Sequence, residues 1–161
     1  MHELRPQAER IATLLVRRKE TLAVSESSTG GLVSAALLAI PGASAFFMGG
    51  AVVYTATARQ LVLGITEHDM QGIRSASEPY AVLAAHRVRT RFGTSWGIAE
   101  TGAAGPKGNR YGDAAGHSCL ALSGPVDRVT TIETAQADRP ANMLRFAGAL
   151  LTLFETALSE S

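Results

Sequence analysis

Ser25-Glu26-Ser27-Ser28-Thr29-Gly30-Gly31 is the stretch on which the reading of this 161-residue chain turns. The short apolar run Leu22-Ala23-Val24 leads into it, and the helical pattern Leu32-Val33-x-x-Ala36-Leu37 leads out. That order predicts strand, tight turn and helix N-terminus, where unpaired backbone N–H groups and the positive end of the helix dipole face outward. Such a place suits an anion or a developing oxyanion, and a serine in it can be aimed for attack. Ser and Thr before Gly are also ordinary N-cap chemistry, so capping and ligand contact both remain open at this turn.

Working outward, residues 5–19 carry Ile11, Leu14 and Leu15 at helical spacing and end in Arg17-Arg18-Lys19, cations that suit a helix C-terminus. The helix after the serine turn spans about 30–39 and stops before Pro41-Gly42. Gly49–Tyr54 reads as a strand, Thr57–Leu63 as a short helix ended by Gly64, and Thr66 as the cap of a turn. Ser77-Glu78-Pro79 starts a helix that runs through Tyr80–Arg91 to Gly93. Trp96–Ala99 is a strand feeding a glycine-rich loop, Thr101–Asn109. Strands at about 116–122 and 127–134 flank Ser123-Gly124-Pro125 as a hairpin, and a helix over about 139–158 closes the chain. The alternation predicts an α/β fold, a three-layer α/β/α sandwich on a mixed sheet, with residues 1–161 as a single domain and its core at about 7–156.

Composition narrows the function. A hydrophobic fraction of 46%, a charged fraction of 18% and a net charge of +1 suit a soluble globular protein. Nothing in that charge calls for a nucleic-acid or membrane partner. A single cysteine, Cys119, forbids an intrachain disulfide and points to a reducing, cytoplasmic setting. Met1-His2-Glu3-Leu4-Arg5 is no secretory leader, and no apolar stretch is long enough to span a bilayer. No His, Cys and carboxylate cluster stands at ligand spacing, so no metal is expected.

In open α/β sheets, sites gather at loops leaving the carboxyl ends of strands. The serine turn is one such loop and Thr101–Asn109 the other, where small residues at 102–105 let backbone approach a ligand. Neither matches a Walker or dinucleotide-binding pattern.

Together, Glu26-Ser27-x-Thr29-Gly30-Gly31, Tyr54, Ser77-Glu78, Thr101-Gly102-x-Ala104-Gly105-Pro106 and Asp138-Arg139 resemble the C-terminal domain of the competence/damage-inducible CinA proteins. Stand-alone versions of that domain are nicotinamide mononucleotide deamidases. The resemblance implies hydrolysis of the carboxamide of a small nucleotide to the carboxylate, with release of ammonia and no metal or organic cofactor. It implies a serine nucleophile at Ser27, with Tyr54 and Thr101 at matching positions. Glu26, Thr29, Gly30, Gly31, Gly102, Ala104 and Gly105 then form the loops around the substrate. Backbone N–H groups of Thr29–Gly31 or of Gly102–Ala104 are expected to hold the oxyanion. Family members commonly assemble as homo-oligomers, and the same is expected here.

The chain departs from the family pattern in one telling place. Where the family carries a lysine after its tyrosine, this sequence reads Tyr54-Thr55-Ala56-Thr57-Ala58-Arg59. A guanidinium does not serve as a base, although its planar fork can hold phosphate or carboxylate. Only two lysines exist, Lys19 and Lys107, and Lys107 in the second glycine loop is the one placed to take over. His117, after Gly116 where the family has Gly-Thr, is the other candidate base, against the plainer reading of a strand histidine. Arg139 is a candidate phosphate contact. Met143 falls where the family tends to have arginine, with Arg145 two residues on. The arginine substitution leaves a second reading, a catalytically degenerate domain that binds a nucleotide without turnover.

Overall fold

The computed structural model describes residues 2–161. Five helices and five strands follow the order α1 (Arg5–Arg18), β1 (Leu22–Glu26), α2 (Leu32–Leu38), β2 (Phe47–Val52), α3 (Ala56–Ala58), α4 (Glu78–Phe92), β3 (Trp96–Ala103), β4 (His117–Ser123), β5 (Arg128–Glu133) and α5 (Arg139–Glu160). The strands form one sheet ordered β2-β1-β3-β4-β5. β1 runs parallel to both β2 and β3, while β3–β4 and β4–β5 are antiparallel, so the sheet is mixed as expected.

Strand alternation sorts the side chains into two cores. Leu22, Val24, Trp96, Ile98, Leu120 and Leu122 face one way and pack on α1, α2 and α5. Trp96 anchors this side, with its ring edge-on to Phe154 at 5.3 Å and its Nε1 donating to Glu20 at 2.8 Å. Ala23, Ala99, Cys119 and Ala121 face the other way and pack on α4 with Leu63 and Ile65. Small residues on that face let α4 approach closely, and at Gly97 an added Cβ would stand 2.2 Å from the Ala85 carbonyl oxygen. The result is the expected three-layer α/β/α sandwich.

Three boundaries differ from the sequence expectation, each for a tertiary reason. β2 ends at Val52, so Tyr54 leaves the sheet edge and is 61% exposed. β3 runs through Gly102 to Ala103 because its pairing with β4 continues from Gly97↔Ser123 to Ala103↔His117. Thr101 and Gly102 are therefore strand residues. Glycine is required at 102, since a Cβ there would lie 2.4 Å from the His117 carbonyl oxygen. α2 starts at Leu32 because Gly30 and Gly31 have φ of +64° and +100°. Ser77 caps α4 by accepting from Tyr80 N, and Asp138 caps α5 by accepting from Ala141 N at 2.9 Å.

Among the described residues, no helix is long and apolar enough to cross a membrane, and no three metal-ligating side chains cluster.

Candidate functional site

The serine turn sits at the carboxyl end of β1, in the middle of the parallel part of the sheet. Glu26, the last residue of the strand, is fully buried and folds over the start of α2. Its Oε1 accepts from Gly31 N at 3.1 Å and Val33 N at 2.9 Å. Its Oε2 accepts from Ser34 N at 2.9 Å and Ser34 Oγ at 2.6 Å. The carboxylate thus does the work of an N-cap, and both oxygens are committed to the chain itself.

A second carboxylate lies beneath the turn. Glu100 on β3 is 2% exposed, and five donors converge on it. Oε2 accepts from Ser27 N at 3.1 Å, Thr29 N at 3.0 Å and Thr29 Oγ1 at 3.0 Å. Oε1 accepts from Ser28 Oγ in a short hydrogen bond and from Ser118 Oγ at 3.2 Å. Burial pushes the Glu100 carboxyl above the usual carboxylate range, and the donors from Ser28, Thr29 and Ser27 offset that rise only in part. With Gly30 N bonded to Ser27 O at 3.2 Å and Leu32 N to Thr29 O at 3.3 Å, every N–H from Thr29 to Ser34 has a partner inside the chain. The expectation that Thr29–Gly31 N–H groups meet an oxyanion is corrected on this ground.

The two bends do converge. Ser27, half-buried, opens on a cavity of about 510 Å³ shared with Tyr54, Arg59, Tyr80 and Thr101. Ser28 borders a smaller adjoining recess of about 150 Å³ with Gly102, Ala104, Gly105, Lys107 and Arg139. Tyr54 lines both. The second bend is tied to α5. Arg139 donates to the Gly105 carbonyl at 2.6 Å and to Tyr54 Oη at 3.1 Å, and buried Asn142 donates to the Ala104 carbonyl at 2.8 Å. Gly105 has φ of +114°, and a Cβ there would stand 2.6 Å from the Ala137 carbonyl oxygen.

One wall of the larger cavity is cationic. Arg59 lies over the Tyr80 ring at 5.7 Å and donates weakly to Ser75 Oγ at 3.4 Å, while its buried Nε has no partner among the described residues. Arg74 and Arg110 lie on the Tyr111 ring at 5.3 and 5.1 Å. Arg74 also pairs with both oxygens of Asp113, at 2.7 and 3.1 Å, and holds that carboxyl below the usual carboxylate range. The Arg110 hydrogen bond lowers the Tyr111 phenol, whereas burial raises that of Tyr80. Thr101, buried in the cavity wall, accepts from Ala76 N at 3.2 Å through its Oγ1.

His117 lines neither cavity. Its Nε2 faces the Ala76 carbonyl at 2.8 Å and its Nδ1 the Glu133 carboxylate at 2.5 Å, both acceptors. Burial works against a charged ring, but these partners and Asp113 outweigh it and raise its pKa. With both nitrogens committed to partners inside the chain, His117 is not placed to serve a substrate, and it ties β4 and β5 to the segment bearing Arg74 and Ser75. Met143 lies against Gly30, and Arg145 lies on another face, beside Glu3 and Gln7. Sequence reasoning missed Glu100, Arg74, Arg110, Tyr80 and Tyr111. The one available signal was a lone carboxylate inside the apolar strand Trp96-Gly97-Ile98-Ala99-Glu100.

The CinA C-terminal domain model matches residues 4–158. Among curated relatives, a CinA-like protein of Synechococcus sp. (strain CC9902) is 42% identical over 114 residues, covering 71% of this chain and 27% of its own. A CinA-like protein of Frankia casuarinae is 40% identical over 127 residues, covering 79% of this chain and 29% of its own. The chain thus spans less than a third of the curated relatives it matches. The crystal structure of a CinA superfamily protein from Klebsiella pneumoniae 700603 superposes with a TM-score of 0.91 at 24% identity, over 98% of this chain and 99% of that one. A competence/damage-inducible protein from Agrobacterium tumefaciens superposes with a TM-score of 0.86 at 28% identity, over 97% and 95% of the two chains. Its sequence and its fold place this chain in the CinA C-terminal domain family.

Proposed function

We propose that the protein is an amidohydrolase acting on the carboxamide of a nicotinamide nucleotide. The observation that carries this reading is the shared cavity of Ser27, Tyr54, Arg59 and Thr101, whose volume of about 510 Å³ is that of a small-molecule pocket. Ser27 Oγ attacks the carboxamide carbon, the C–N bond breaks and ammonia leaves. Water then hydrolyses the resulting ester to the carboxylate and frees the serine. N–H groups of the second bend face the oxyanion, Arg59 meets the phosphate, and Tyr54 and Lys107 move protons. Purified protein should release ammonia from nicotinamide mononucleotide, and Ser27→Ala should not. Equal rates would remove Ser27 as the nucleophile.

A specific observation supports a second reading, nucleotide binding without turnover. Ser27 Oγ has no hydrogen-bond partner among the described residues, Lys107 borders the neighbouring recess, and both His117 nitrogens are engaged. A base within reach of the nucleophile is what such chemistry needs. On this reading the mononucleotide raises Tm without being consumed, and ammonia release emerges only in Arg59→Lys.

A further inference from the structure

We propose that Glu100 is a positioning residue for Ser27: an ionised carboxylate, sealed behind the serine turn, that holds the turn through five hydrogen bonds and sets a negative charge at the back of the nucleophile. The inference rests on the reading of Ser27 as the nucleophile, and its test does not require turnover.

The geometry argues for a function beyond filling the core. A carboxylate in a strand interior is costly to bury, and an apolar residue of similar size is the cheaper choice at a site between two ladders. Here both oxygens are spent on one seven-residue turn and its neighbour Ser118, across 71 to 73 residues of chain to the turn itself. Two of the donors, Ser27 N and Thr29 N, are backbone groups that cannot turn away, and they fix Oε2 as an acceptor. The Ser28 and Ser118 hydroxyls complete Oε1. The contact on Ser27 N fixes the backbone from which the Ser27 side chain projects.

The charge has a consequence that packing alone does not. An anion behind the turn disfavours ionisation of any acidic group at position 27 and makes the resulting anion a stronger base and nucleophile. The chain is also arranged for a clean probe. In Glu100→Gln the amide oxygen can take the place of Oε2, and the NH₂ can donate to Ser28 and Ser118, whose hydroxyls rotate to accept. The variant removes the charge and keeps the connections.

The test uses Ser27→Cys in the full chain, alone and combined with Glu100→Gln. The rate of iodoacetamide alkylation is followed against pH, with peptide masses separating position 27 from Cys119. The thiol introduced at 27 should titrate above the ordinary value near 8.5, and Glu100→Gln should lower its midpoint by roughly one to two pH units. Ser118→Ala, which removes one hydrogen bond and leaves the charge, should leave the midpoint in place. The same midpoint with and without Glu100→Gln overturns the proposal. Should Glu100→Gln not fold, the side-chain ¹³C shift of Glu100 in the native protein at pH 8 decides: an ionised carboxylate supports the proposal and a protonated one overturns it. Ammonia release enters only as a companion, where kcat falls in Glu100→Gln and KM holds.

Discussion

Glu26→Gln tests whether this carboxylate serves the helix or a ligand. In the native protein Oε1 takes two backbone N–H groups and Oε2 takes Ser34 N and its hydroxyl. A glutamine keeps one oxygen. Its best orientation holds Gly31 and Val33 and sets the NH₂ against Ser34 N–H, a donor that cannot turn. One buried unpaired N–H costs about 1–3 kcal/mol, and the lost charge at the start of α2 about 0.3–1 kcal/mol more. The expected loss is roughly 2–3 kcal/mol, which lowers Tm by about 5–10 °C for a chain of this size. Urea unfolding, followed by far-ultraviolet circular dichroism and by fluorescence of Trp96, should show a lower midpoint at an unchanged slope. An unchanged midpoint together with a tenfold weaker nucleotide affinity would refute the capping role and return Glu26 to the substrate.

Glycine substitutions should split in sign according to the space around each. Gly97→Ala drives a Cβ to 2.2 Å from the Ala85 carbonyl and 2.6 Å from Arg89 Cβ, and should cost about 3 kcal/mol by thermal melts. Gly148→Ala, inside α5 with its nearest contact Leu4 Cδ2 at 3.5 Å, should gain about 0.5–1 kcal/mol, and a loss there would contradict the packing described. His117 gives a pH dependence. Its folded pKa is raised, so its stabilisation is complete below the unfolded value near 6.5 and fades as pH rises through the folded value. Melts across pH 5.5–9 should show that decline in the native protein and a flatter profile in His117→Asn, and parallel profiles would refute it.

Much of the fold was legible because local rules and tertiary context agree. Leu22-Ala23-Val24 alternates between two cores, and Ser77-Glu78-Pro79 caps α4 where a cap was read. Both glycine bends are legible in composition, and they border two recesses that share Tyr54. The failures came from pairings between distant residues. Gly102 reads as a loop residue until β4 is laid beside it, and Tyr54 reads as strand until β2 is seen to end at an edge. The N–H groups of the serine turn read as free because sequence spacing shows neither Glu26 folding back on α2 nor Glu100 rising from β3. His117 is a plausible base by residue type alone, and its two acceptors come from Ala76, 41 residues before it, and Glu133, 16 residues after it.

The proposed function requires Ser27 to face a nucleotide carboxamide in the cavity walled by Arg59 and Tyr54. A crystal structure of Ser27→Ala with nicotinamide mononucleotide decides the point. The carboxamide carbon should lie about 3–3.5 Å from the position of the serine oxygen, with the phosphate toward Arg59. A mononucleotide bound elsewhere, or with its carboxamide turned away from residue 27, would contradict it.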